Sequence, residues 1–60
     1  MAAEFELYKD DAGEYRWRLQ AGNNKIIADS AEGYSSKGGA EDGIADVKSI
    51  APTAPTNDRT

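Results

Sequence analysis

Cysteine and histidine are both absent from this chain of 60 residues. Their absence excludes a disulfide framework and the usual zinc ligand sets. A fold of this size buries only about 60% of the surface that its unfolded chain exposes, so it has little stability to spare. Since disulfides and zinc are unavailable, oligomerisation is the remaining way to stabilise it. We therefore predict one domain, at residues 1–51, that a second chain completes, followed by a C-terminal tail at 52–60.

The sequence also lacks a long apolar run and an excess of positive charge. No stretch has the length and hydropathy of a membrane span or a signal peptide. The net charge is −4, which disfavours nonspecific binding to nucleic acid. We expect a cytoplasmic protein with no membrane association, and its acidic, lysine-poor composition would suit a high-salt, halophilic cytoplasm.

Two stretches alternate between apolar and polar residues, at 5–9 and 14–20, and a short β-branched run follows at 25–30. The alternation is clearest in the second stretch, where Trp17 and Leu19 share one face. Such patterns between turn residues predict an antiparallel three-stranded meander with one buried face. Because a helical pattern follows the three strands, the predicted fold class is α+β.

The two connections between these strands are predicted from the pairing that each imposes. A three-residue loop at 11–13 pairs Leu7 with Trp17 and requires a left-handed residue at its third position, which Gly13 supplies. For the second connection we predict a two-residue loop at 23–24, because asparagine tolerates positive φ.

These pairings place Arg18 between Glu6 and Asp29 on the outer face of the sheet. We interpret the trio as a cross-strand charge ladder rather than a catalytic site, because carboxylates held by an arginine have depressed pKa values and make poor acid–base catalysts. The outer face is nevertheless a candidate interaction surface, since tyrosine and arginine are frequent at binding hot spots. Its members are Tyr8, Arg16, Arg18 and Ile27.

Apolar positions at 37–50 recur with the spacing of one helical face. Three glycines lie in the same stretch, and each costs up to about 1 kcal/mol relative to alanine in a helix interior. Close approach of the helix to the sheet or to a second chain would offset that cost. The predicted dimer contact combines the small residues and the apolar face: Gly39, Ala40, Gly43, Ile44 and Val47.

Serine and lysine at the start of this helix raise the question of an anion site, because helix N-termini attract anions. Ser35, Ser36 and Lys37 have suitable chemistry, but the order of a P-loop is absent because the lysine precedes the glycines. A serine that caps the helix explains the same residues, and acidic neighbours weaken the attraction of Lys37 for anions. We favour capping and keep the anion contact as the alternative.

Five motifs occur in order between residues 5 and 52: "YKD", "G-x-Y-R-W-R-L", "I-I-A-D-S", "E-G-Y-x-S-K" and "G-I-x-x-V-K". On these motifs the chain resembles the YegP-like family of small proteins of unknown function. The resemblance implies a β-β-β-α-β unit, two of which share one sheet and exchange their C-terminal strands. Many members carry two units in tandem, so the single copy here implies a homodimer. The exchanged strand would lie at about residues 55–59, although the composition of the tail is also typical of disorder.

We therefore predict a small non-enzymatic homodimer that acts as an interaction or structural module with an unidentified protein partner. No cofactor and no metal are expected, and Ser30, Ser35 and Ser36 have no base to activate them for nucleophilic catalysis except Lys37. Two alternatives remain open. One is a nucleic-acid-binding module that uses the Arg16 and Arg18 face, as RNA-binding sheets do, and the other is a small-ligand binder at the dimer interface.

Overall fold

The computed structural model describes residues 2–60 of the chain. Three antiparallel strands form a sheet in the order β1-β2-β3, with β1 at Glu4–Lys9, β2 at Tyr15–Gln20 and β3 at Ile26–Asp29. Helix α1 follows at Lys37–Ile50, and a single 3-10 turn at Ala51–Thr53 extends it. The predicted meander and helix of an α+β fold are confirmed.

The first hairpin has the predicted loop and register. Gly13 adopts a φ of +82°, and its N–H donates to the carbonyl of Asp10 at 3.0 Å. Leu7 is the strand partner of Trp17, as expected. The glycine is therefore a turn residue: a three-residue loop closes with a left-handed residue at its third position, and a loop of this length brings the two apolar sets onto one face.

The second hairpin differs from the prediction. The N–H of Ala21 donates to the carbonyl of Lys25 at 2.7 Å, and the N–H of Asn24 donates to the carbonyl of Ala21 at 3.0 Å. The loop thus contains residues 22–24, and the predicted two-residue loop is wrong. Asn24 takes the left-handed position with a φ of 66°, so both hairpins use the same kind of loop.

A bulge in β3 compensates for the extra loop residue. Gln20 is paired with Ile26, while its neighbour Leu19 is paired with Ala28, so Ile27 has no partner of its own. A bulge adds one residue to one strand and restores the alignment beyond it. Leu19 therefore meets the residue that the shorter loop would have given it, and its apolar side chain stays on the inner face.

The segment after β3 remains attached to β2. The N–H of Ser30 donates to the carbonyl of Trp17 at 2.9 Å, and the Ser30 hydroxyl accepts from the N–H of Trp17 at 3.1 Å. Tyr34 and Tyr15 then exchange two backbone hydrogen bonds of 2.8 and 2.9 Å. These contacts fix the point at which the chain leaves the sheet and begins the helix.

The core is a single contact layer between α1 and the first two strands. Trp17 and Ala40 are the buried apolar residues of the described chain, with 6% and 0% of their surface exposed. A Cβ placed on Gly43 would lie 2.6 Å from the Tyr34 hydroxyl and 3.1 Å from Nε1 of Trp17. The glycine therefore allows the helix to approach its own sheet, which was one of the two roles expected for the helix glycines.

The predicted dimer-packing residues can now be placed. Ala40 and Gly43 face the chain's own sheet, and Gly39 lies against Ser36 and Tyr34. Ile44 lines a gap beside β1, and Val47 is half-buried. These contacts within one chain explain why small residues occur on this helix face. That the same residues also pack against a second copy stays a prediction. Between residues 2 and 60, the helix contacts β1 and β2 but not β3.

The tail projects away from this layer. Every residue from 51 to 60 is exposed, and residues 54–60 form no strand with the rest of the described chain. The radius of gyration is 12.7 Å, whereas about 10 Å is typical of a compact domain of this length. None of the helices between residues 2 and 60 has the length and apolar character needed to cross a bilayer.

Two glycine substitutions test the close approach of the helix. Gly43→Ala should lower the free energy of unfolding by about 1 kcal/mol or more, because the new methyl group forces Tyr34 or Trp17 to shift. Gly38→Ala is the control, since nothing lies within 4 Å of the position that its new Cβ would take; it should raise stability by up to about 1 kcal/mol. Urea titration of both variants measures the difference, and equal stabilisation by both would contradict the packing role of Gly43.

Candidate functional site

The outer face of the sheet brings together three of the four predicted interaction residues. The Arg18 guanidinium lies over the ring of Tyr8, 4.5 Å from its centroid, and its Nε donates to Oε1 of Glu6 at 2.5 Å. The Arg18 side chain is 38% exposed. Ile27 is apart from this cluster, in the bulge of β3.

Asp10 organises the turn beside this cluster. One carboxylate oxygen accepts from the backbone N–H groups of Ala12 and Glu14, each at 2.9 Å, and the other accepts from Nε of Arg16 at 2.5 Å. The hydrogen bond from Arg16, followed by that from Glu14, lowers the pKa of Asp10, and the same carboxylate raises the pKa of Arg16. This pair therefore stays charged at neutral pH and is a structural clamp rather than an acid–base couple.

The predicted charge ladder forms only in part. Arg18 pairs with Glu6, while Asp29 lies opposite Arg18 in the register without an ion pair to it. Within residues 2–60 the ion pairs are Arg18 with Glu6 and Arg16 with Asp10. Both guanidinium groups of the outer face are thus neutralised by carboxylates of the same chain. The Asp10 contact was not foreseen, because the sequence identified Asp10 only as a residue next to a turn.

The start of α1 uses one of its serines as a cap. The Ser36 hydroxyl accepts from the N–H of Gly39 at 3.0 Å, and Ser36 has extended backbone angles. This confirms the favoured interpretation of the serines, because a capping oxygen satisfies a helix N–H that would otherwise lack a partner. Ser35 is exposed. An anion contact of Ser35, Ser36 and Lys37 stays a prediction.

A groove between β1 and α1 was not foreseen from the sequence. It consists of two open clefts of about 370 and 540 Å³ that share Leu7, and we call it the β1–α1 groove. The residues that line it are Phe5, Leu7, Tyr8, Lys9, Tyr15, Lys37, Glu41, Ile44, Ala45 and Lys48. A signal was present in the helix, where Lys37, Glu41, Ile44 and Lys48 recur at helical spacing, but the sequence alone did not show which strand they would face.

No group of three or more histidine, cysteine, aspartate or glutamate residues suitable for a metal ion occurs between residues 2 and 60. The indole N–H of Trp17 is the buried side-chain donor in this range that has no hydrogen-bond partner. Its nitrogen lies close to Gly43 of α1, 3.1 Å from the position that a Cβ there would take. Among the described residues, the cations that line a cleft and take part in neither ion pair are the lysines of the β1–α1 groove.

Comparison with known proteins gives consistent matches over most of the chain. Residues 10–58 match the model of a domain of unknown function, DUF1508. A UPF0339 protein of Mesorhizobium japonicum is 48% identical, with 97% of each chain covered. Another, of Methanosarcina acetivorans, is 50% identical over 87% of this chain and 88% of the relative.

A solved structure extends the comparison to the fold. The NMR solution structure of a protein from Haloferax volcanii has 49% sequence identity and a TM-score of 0.89, with 95% of both chains covered. At this identity and score, the two chains share the arrangement of strands and helix described above.

The Asp10 clamp should appear in the pH dependence of stability. The pKa of Asp10 is lowered from its ordinary value of 3.8. Its contribution to the free energy of unfolding is therefore complete above that value and is lost as the pH falls through the folded-state pKa. Asp10→Asn should therefore lower the urea midpoint at pH 7 and lose less stability than the parent on acidification. Asp11→Asn, in the same exposed turn, is the control; an identical acid transition in the parent and Asp10→Asn would contradict the clamp.

The capping assignment predicts different effects for two adjacent serines. Ser36→Ala should cost about 1 kcal/mol of unfolding free energy, because it removes the acceptor of the Gly39 N–H. Ser35→Ala should change stability by less than about 0.5 kcal/mol, as is usual for an exposed surface position. Thermal unfolding followed by circular dichroism measures both, and a larger loss in Ser35→Ala would reverse the assignment.

Proposed function

The chain belongs to the DUF1508 family, whose relatives are named UPF0339 proteins, and we propose that it is a non-enzymatic interaction module that acts as a homodimer. The observation that carries the proposal is the uncovered side of the sheet at β3. All four residues of that strand are exposed. A three-stranded sheet with one helix over two of its strands leaves apolar surface that a second chain can bury.

The apolar residues left uncovered are large. Ile26 and Ile27 are 46% and 59% exposed, and Ile50, at the end of α1, is 61% exposed. Ala28 is exposed as well, although it lies on the inner face opposite half-buried Leu19. Each such isoleucine side chain contributes about 1.5–3 kcal/mol when it is fully buried. Burial of the β3 side by a second copy would therefore add substantially to the stability of a small fold.

The total surface supports the same conclusion. The accessible area is 4658 Å², whereas about 3,800 Å² is typical of a compact monomer of this mass. The surplus means that the isolated chain is less compact than a monomer of this mass. The exposed tail contributes to it, so an assembly that orders the tail would remove much of the difference.

The tail is proposed to supply a strand to the second copy. Residues 55–59 would pair as a short edge strand beside β3 of the partner, and proline is tolerated at the start or edge of a strand. A UPF0339 protein of Stutzerimonas stutzeri is 48% identical over 87% of this chain, which spans only 46% of that relative. A relative of this length has room for a second unit of the same size, and we propose that two separate copies of this chain form an equivalent pair.

The ion pairs of the outer face count against the nucleic-acid alternative. Arg16 and Arg18 are already bound to carboxylates, and the net charge of the chain is −4. Phosphate contacts would have to compete with Asp10 and Glu6, so the electrostatic gain that dominates nucleic-acid binding would be small. A small ligand at the dimer interface remains the second alternative, and no contact within one chain favours it.

The molar mass in solution tests the proposal. Light scattering on a sizing column, at low and multimolar salt and over a dilution series, should give the mass of two chains that persists on dilution. Deletion of residues 54–60 and the substitution Ile27→Glu should each shift the mass toward one chain. Glu4→Gln, on the opposite side of the sheet, is the control for Ile27→Glu. A single-chain mass for the parent at every concentration would contradict the homodimer.

A further inference from the structure

We propose that the β1–α1 groove binds an extended acidic peptide segment of a partner protein, which adds as a further strand to the outer edge of β1. This inference rests on the proposed function and names the partner chemistry of the interaction module. Strand β1 has a neighbour on one side only within residues 2–60. The free backbone groups of such an edge bind extended peptides, and pockets beside the edge select alternate side chains.

The charges of the groove are opposite in sign to those of the whole chain. Lys48 lines one end, and Lys9 and Lys37 line the other. None of the three takes part in the ion pairs found between residues 2 and 60, which involve Arg16 and Arg18. Glu41 is the acidic residue that lines the groove. The groove is therefore locally cationic in a chain of net charge −4, and this complementarity selects an acidic occupant.

Two of the lysines are positioned by aromatic rings. The ammonium group of Lys48 lies 5.6 Å from the centroid of Phe5, and that of Lys9 lies 5.1 Å from the centroid of Tyr15. The faces of aromatic rings attract cations, so these contacts hold the charges at the groove without neutralising them. An incoming carboxylate can therefore bind each ammonium group without breaking an existing ion pair.

The spacing of the lysines defines the sequence pattern of the occupant. Lys48 lies over Phe5, and Lys9 is four residues further along β1, a distance of about 14 Å in a strand. Alternate residues of an added strand point to the same face. Carboxylates at positions i and i+4 would thus meet Lys48 and Lys9. An apolar residue at i+2 would lie by Leu7 and Ile44, where Glu41 disfavours a further carboxylate.

The tail of a second copy fits this pattern poorly. Residues 52–60 contain one acidic side chain, Asp58, followed directly by Arg59. The tail therefore lacks two carboxylates four residues apart. The occupant is a segment of a different protein with the pattern acidic–x–apolar–x–acidic, and the β3 side of the sheet is left for the second copy.

Fluorescence anisotropy with defined peptides tests the inference on the full chain. The probe is a fluorescein-labelled peptide, SETVTES in one-letter code, and the comparison peptides are SQTVTQS and SKTVTKS. The acidic peptide should bind more tightly than the neutral one, the basic one should not bind, and affinity should fall as salt increases. Lys9→Gln and Lys48→Gln should each weaken binding about two- to fivefold. Lys25→Gln, directly after the β2–β3 loop and outside the residues that line the groove, should leave the affinity unchanged.

Several results would overturn the inference. These are absence of binding at millimolar peptide, equal binding of the neutral and acidic peptides, or equal weakening by Lys25→Gln. N-methylation of every second amide of the acidic peptide removes the backbone donors that an added strand would need. Two such peptides, one methylated at the odd and one at the even amides, cover both orientations of the strand. If both bind as tightly as the unmethylated peptide, strand addition is excluded. Displacement of the probe by a peptide of residues 54–60 would identify the tail as the occupant instead. A two-chain mass without peptide binding would overturn only the groove, whereas a single-chain mass with binding would overturn only the dimer.

Discussion

The packing of α1 against Trp17 is the contact on which the rest of the structure depends. Trp17 is the one large apolar side chain in the described residues with less than a tenth of its surface exposed, and the helix reaches it because Gly43 has no side chain. The backbone bonds that join Ser30 and Tyr34 to β2 set the direction from which the helix arrives. With so thin a core, one methyl group at this contact is a large perturbation, because well-packed interiors have little free volume.

The position of the helix also decides which surfaces remain available. It covers β1 and β2 and leaves β3 open, so the side of the sheet at the β1 edge differs from the side at the β3 edge. One side exposes isoleucines at a bulged strand. The other combines a regular edge strand with a cationic groove. An apolar side suits a permanent contact between copies, whereas a charged groove at a strand edge suits a partner that binds and leaves.

The cationic side chains fall into two groups: arginines that are ion-paired within the chain, and lysines that remain accessible to a ligand. The arginines of the outer face are bound by Asp10 and Glu6, and Asp10 also receives two backbone N–H groups of its turn. The lysines of the groove contact aromatic rings instead. A cation that is already paired has little left to offer a ligand, because a new partner must displace the old one. This distinction favours lysine over arginine as the recognition group here, although arginine is the residue more frequent at binding hot spots.

Local sequence determined the strands, the helix, its Ser36 cap and the left-handed Gly13, because alternation, capping and turn chemistry act between neighbouring residues. It did not determine the length of the second loop, because asparagine tolerates positive φ in hairpin loops of either length and a bulge in β3 restored the same register. The pairing of Arg16 with Asp10, the approach of α1 to Trp17 and the β1–α1 groove were decided only by the tertiary structure. Each depends on the distance and angle between separate segments of the chain. The pattern within one segment does not fix these, even where it marks the helix face involved, as the spacing of Lys37, Ile44 and Lys48 does.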